Sequence, residues 1–139
     1  MPVTYKIDWA NRLIRTKCTG PITVDDVVEH FRVLEHDPLC PDCVDVLLEV
    51  RDGTSVPKTE ELRTVTHEIA RIRGRVQFGI CAIVAPTDAL FGMMRMFEVF
   101  TEDYFHETRV FRTVVEAELW LASRRQGPLT AKADGGLFY

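Results

Sequence analysis

Strand-like runs and segments of helical period alternate from residue 3 to residue 123, and that alternation restricts the fold more than any other feature of the chain. Val3-Thr4-Tyr5-Lys6-Ile7 alternates apolar and polar, and Leu13 to Cys18 is strand-like again. Asp8-Trp9-Ala10-Asn11 reads as the turn between them, so residues 3–19 form a β-hairpin. Gly20-Pro21 breaks the second strand, and Thr23 with Asp26 makes a capping box. Val27, Val28, Phe31 and Leu34 then recur at helical spacing, ending before Asp37-Pro38. Val46 to Val50 is a short apolar strand, and Leu62, Val65, Ile69 and Ile72 mark the face of a second helix. Val76 to Ala85 is the most strand-like stretch, closed by Pro86. A third helix spans about Asp88 to Glu102, a short strand Thr108–Arg112, and a last helix runs from the Thr113/Glu116 box to Ser123.

The order β-β-α-β-α-β-α-β-α predicts an α/β domain with a mainly parallel five-stranded sheet and an antiparallel first strand at or near the edge. Residues 1–123 make one domain. Residues 124–139 carry Gly and Pro without a period and read as a tail, with Leu137-Phe138-Tyr139 a candidate for docking on a partner subunit.

A chain of 139 residues buries roughly 68–70% of its unfolded surface, enough to fold without disulfide or metal. With 17 Lys and Arg against 21 Asp and Glu, the net charge of −4 argues against nucleic acid as a partner. The apolar runs fall short of the ~18 residues of a membrane span. MPVTYKIDWANR puts charge and Asn where a signal peptide needs its apolar stretch, so the expected location is cytoplasmic.

Four cysteines fit that compartment. Cys18 and Cys81 fall on strands, where a buried thiol is a small hydrophobe. Cys40-Pro41-Asp42-Cys43 lies before a strand rather than at a helix start, which weighs against a thioredoxin-like pair. Adding His36 still leaves a zinc site one ligand short. His67 is followed four residues later by Arg71, so the two-histidine face of a metalloprotease is missing, as are a nucleophile elbow and phosphate or dinucleotide loops. No catalytic residue, cofactor or metal is expected.

Open α/β sheets bind ligands beyond the carboxyl ends of their strands. That rule gathers Asp52, Thr54 and Ser55 after one strand and Thr87 and Asp88 after the next as candidate ligand-binding residues. Thr59 and Ser55 are candidate phospho-acceptors, near a helix start that favours anions. The plainer alternative makes Thr59 and Asp88 N-caps and Asp52-Gly53 a turn.

The third helix is apolar nearly all round. Leu90, Met93, Met94, Phe97 and Phe100 make the face that covers the sheet, while Phe91, Met96 and Val99 point partly elsewhere. Phe91, Met94, Met96 and Val99 are therefore the expected interface residues of a homodimer.

The hairpin Tyr5-Lys6-Ile7-Asp8…Arg12-Leu13-Ile14, the helix start Thr23-Val24-Asp25-Asp26, and Leu47 through Thr54 together resemble the STAS-like family. Ile83 through Asp88 and Phe91 through Met96 extend the likeness over residues 1–122. Its members are related to bacterial anti-sigma-factor antagonists and sulfate-transporter STAS domains, and this chain is most similar to small stand-alone bacterial ones. The family's phosphorylatable Asp-Ser-Ser-Gly-like motif is absent. Val56-Pro57-Lys58-Thr59-Glu60-Glu61 stands there instead, with only Thr59 near the acceptor position. The resemblance implies a non-catalytic, regulatory module that binds a protein partner or a small apolar ligand. The alternative is a small enzyme working at the strand carboxyl ends through Asp52, Thr87 and Asp88.

Overall fold

The computed structural model describes residues 2–130, with side chains through Arg125. The elements are β1 (Val3–Asp8), β2 (Leu13–Cys18), α1 (Val24–Glu35), β3 (Cys43–Val50), α2 (Thr59–Ile72), β4 (Gln77–Val84), α3 (Asp88–Phe100), β5 (Glu107–Phe111) and α4 (Val114–Thr130). The sheet order is β1-β2-β3-β4-β5. β1 pairs antiparallel with β2, and every later pair is parallel. The α/β architecture and element order are those predicted.

Each parallel strand is placed one position further along the sheet. Right-handed crossovers taken always in the same direction must put their helices on the same face, so α1, α2 and α3 share one side. α4 follows the last strand and takes the other, where Ala117 and Leu121 pack on Leu13, Leu47, Ala82 and Val84. The alternation of β2 follows from this two-sided cover. Leu13 faces α4, and Arg15 reaches Glu118 of α4 with two hydrogen bonds of 3.0 Å. Ile14, Thr16 and Cys18 point to the three-helix side.

Two boundaries move by three residues or more. β3 starts at Cys43, three residues before the expected Val46, because Asp45 sits in the strand with a specific task. The β3–β4 register shifts between Val44↔Phe78 and Val46↔Cys81, leaving one residue opposite two. The Asp45 carboxylate accepts the Ile80 N–H at 2.9 Å there, and a Cβ on Gly79 would run into that carboxylate. α4 continues to Thr130 rather than stopping at Ser123. The arginines after Ser123 are tied to the domain, Arg124 to Glu107 at 3.0 Å and Arg125 to Asp45 at 3.3 Å. The first part of the expected tail is therefore helix. Leu137-Phe138-Tyr139 lie outside the described residues.

Candidate functional site

The three-helix side does not close completely. Between the sheet and α1 and α2 lies a cavity of about 160 Å³, its wall overwhelmingly apolar. Short side chains on facing walls leave the space open. α1 turns Val24 and Val27 toward the sheet, and β2 answers with Thr16 and Cys18 rather than with larger residues. Val46 and Leu48 of β3 and Val65 of α2 complete the sides, and all three are only partly buried because the cavity admits solvent. Its base is solid core: Ile69, Cys81 and Phe97 are buried there.

The exposed residues among its lining, Thr23, Ser55 and Val56, place its mouth between the β2–α1 and β3–α2 loops. This is beyond the carboxyl ends of β2 and β3, where open α/β sheets hold ligands. The polar groups of this rim are engaged in building it. Thr54 Oγ1 donates to the Cys18 carbonyl at 3.1 Å, and Ser55 Oγ accepts the Ile22 N–H at 3.1 Å, so the two loops are stitched together. Thr23 and Asp26 form the expected capping box, the Thr23 N–H reaching Asp26 at 2.9 Å and the Asp26 N–H reaching Thr23 Oγ1 at 3.2 Å. Glu61 Oε1 accepts the Lys58 N–H at 2.8 Å.

Three polar side chains lie further in. Thr16 is 6% exposed, and its hydroxyl has no hydrogen-bond partner among the described residues. Cys18 lies two residues along the same strand face, its thiol pushed up to about 11 by burial and therefore protonated at neutral pH. His30 of α1 stands edge-on to Tyr5, with ring centroids 5.3 Å apart, and to Phe31 at 5.2 Å. Burial lowers its pKa to about 4, so the imidazole is neutral in the wall. Tyr5 is held from the far side, its hydroxyl donating to Asp37 at 2.6 Å.

The residues singled out from the sequence are not gathered at one place. Thr54 and Ser55 stand at the mouth, as part of its frame. Asp52 is exposed in the turn after β3 and does not line the cavity; Gly53 beside it takes φ +87, the left-handed region that glycine supplies without strain. Thr87 is the N-cap of α3, accepting the Leu90 N–H at 3.3 Å, and Asp88 pairs with Arg112 at 2.9 Å on the surface. α2 is capped at Lys58, so Thr59 is its first helical residue and not the cap; its exposed hydroxyl donates to Met96 Sδ at 3.6 Å.

The apolar belt of α3 is also largely enclosed by its own chain. Met94, named as an interface residue, is 6% exposed and packs in the core, because it lies on the same helix face as Leu90 and Phe97. Phe91 lies beneath the Arg112 guanidinium at 4.3 Å, and Phe100 beneath Arg63 at 4.7 Å. Met96 and Val99 remain exposed, at 37% and 62%. The Cys40–Cys43 pair separates, Cys40 in the core and Cys43 at the exposed start of β3. No group of three or more metal-ligating side chains occurs among the described residues, and no helix among them is long and apolar enough to cross a membrane.

Thr16, Cys18 and His30 were not singled out as site residues from the sequence. The available signal was their company. His30 falls on the apolar face of α1 beside Phe31, and Thr16 and Cys18 alternate with Arg15 and Lys17 on the inward side of β2. Comparison with known family models, curated proteins and solved structures finds no match for this chain.

Proposed function

We propose that the chain is a non-catalytic, regulatory module of STAS-like type that binds a small apolar molecule in the cavity between the sheet and helices α1 and α2. One observation carries the reading: the cavity's size and lining. At about 24 cal/mol per Å³, the figure for an enclosed core void, 160 Å³ sets an upper bound of about 4 kcal/mol on the packing this solvent-admitting cavity forgoes. That is a large fraction of the roughly 5–15 kcal/mol by which domains are stable. An apolar void of this size is an unfavourable place for water and a favourable one for a small hydrophobic molecule. The enzyme alternative has less support, since Asp88 is engaged with Arg112, Thr87 with a helix end, and Asp52 faces solvent away from the cavity.

The test is a fluorescence titration with 1-N-phenylnaphthylamine, a neutral apolar probe, on wild type and on Val27→Phe, whose larger side chain fills the cavity. Wild type should bind saturably with blue-shifted emission. Ligand at 100 times its Kd adds about 2.7 kcal/mol of stability, which raises Tm by roughly 5–10 °C in a domain of this size. Val27→Phe should melt no lower than wild type and lose the probe. Folded wild type without saturable binding, or a variant that binds unchanged, defeats the proposal.

A further inference from the structure

The cavity's polar groups specify the ligand's chemistry more narrowly than its volume does. We propose that it takes a neutral apolar molecule bearing one hydroxyl or carbonyl group, held at the Thr16–His30 end, and discriminates against the corresponding carboxylate. This rests on the cavity reading above and deepens it.

Three observations converge. First, Thr16 is more than nine-tenths buried on the inner row of β2 and lines the cavity, and its hydroxyl has no hydrogen-bond partner among the described residues. A hydroxyl set in an apolar wall with no protein partner is poorly satisfied by the little solvent that reaches it. A bound polar atom can restore that bond.

Second, His30 brings a further unused pair of sites to the same end. Tyr5 is the cross-strand partner of Thr16, and its ring meets the His30 ring edge-on at 5.3 Å. Neither ring nitrogen of His30 hydrogen-bonds a described residue. A neutral imidazole presents one donor and one acceptor, and a threonine hydroxyl presents both, so the pair can serve a ligand hydroxyl or a carbonyl oxygen.

Third, charge complementarity excludes an anion. Among the described residues no Lys or Arg lines the cavity, and Glu61 is the one carboxylate that does. A ligand carboxylate would lose its hydration without gaining a cation. Burial keeps His30 from supplying the missing charge at neutral pH. An alcohol or ketone incurs no such cost.

The experiment measures displacement of 1-N-phenylnaphthylamine at pH 8 by 1-octanol, 2-octanone, 1-chlorooctane and octanoate, on wild type, Thr16→Val and Thr16→Ser. In wild type, 1-octanol and 2-octanone should displace the probe at concentrations at least about tenfold below octanoate. Thr16→Val keeps the side chain's shape and removes its hydroxyl. It should weaken 1-octanol about three- to tenfold while leaving 1-chlorooctane unchanged or tighter, and Thr16→Ser should retain the wild-type order. Octanoate binding as tightly as 1-octanol overturns the neutral-ligand assignment. Equal losses for alcohol and chloroalkane in Thr16→Val overturn the role of Thr16. If wild type fails to bind the probe at all, the cavity reading itself falls, a result distinct from loss of selectivity with the probe still bound.

Discussion

Lowering the pH from 7 to 5 should destabilise this protein through a single wall residue of its cavity. His30 has an ordinary pKa of 6.5 in an unfolded chain and about 4 in the fold, because burial disfavours the imidazolium. The unfolded state therefore takes up a proton that the folded state refuses. The folded-state pKa is the depressed one, so the associated stability is present above pH 6.5 and is lost as pH falls toward 4. At 1.36 kcal/mol per pKa unit the full loss is about 3 kcal/mol, and about 2 kcal/mol of it has occurred by pH 5. With a urea m-value of about 2 kcal/mol per molar, the unfolding midpoint should drop by about 1 M between pH 7 and pH 5. His30→Gln removes the titrating group while keeping a neutral polar side chain, and its midpoint should move far less over the same range. Asp8 and Asp37, held low by hydrogen bonds from Asn11 and Tyr5, lose their contributions only below the carboxylate range of about 4, outside this window. Equal pH dependence in wild type and His30→Gln would refute the assignment of the loss to this imidazole.

Gly79→Ala should cost about 2–3 kcal/mol in chemical denaturation, because the added Cβ displaces the Asp45 carboxylate and strands the Ile80 N–H. Gly92→Ala, in open space on α3, should instead stabilise by about 0.5–1 kcal/mol, and equal effects at the two sites would contradict the bulge argument. Thr108→Val replaces a buried hydroxyl that has no partner among the described residues, so it should raise stability by about 1 kcal/mol and Tm by roughly 2–5 °C; a lower Tm would mean the hydroxyl is satisfied. The double variant Met96→Glu/Val99→Glu should leave the mass measured by light scattering at the wild-type value. These two exposed residues fall far short of the ~800 Å² per partner of a stable interface, and a shift to smaller mass would restore the α3 surface as a dimer contact.

Local pattern carried most of the architecture. Period-2 and period-3.6 hydrophobicity placed all nine elements, and handedness turned their order into a parallel sheet with one antiparallel edge strand. The capping box at Thr23/Asp26 and the cap at Thr113, whose hydroxyl accepts the Glu116 N–H and donates to the Glu116 carboxylate, were legible because a cap bonds residues three apart in sequence. The carboxyl-end rule put Thr54 and Ser55 where the cavity mouth lies, since strand direction alone fixes which loops lie there. The same rule offered no way to separate them from Asp52, Thr87 and Asp88, whose roles depend on Arg112, the Leu90 N–H and the path of one turn.

What the residues decide unaided is which faces are apolar and where the chain turns, because both are set by neighbours a few positions away. What closes those faces is decided only across the fold. The belt on α3 looked unpartnered because Arg63 and Arg112, which cover Phe100 and Phe91, come from α2 and from just beyond β5. The cavity was invisible for the converse reason. Val24, Val27, Thr16 and Cys18 are ordinary inward residues one at a time, and they leave a void only where two short-chained walls face each other at a fixed helix-to-sheet distance.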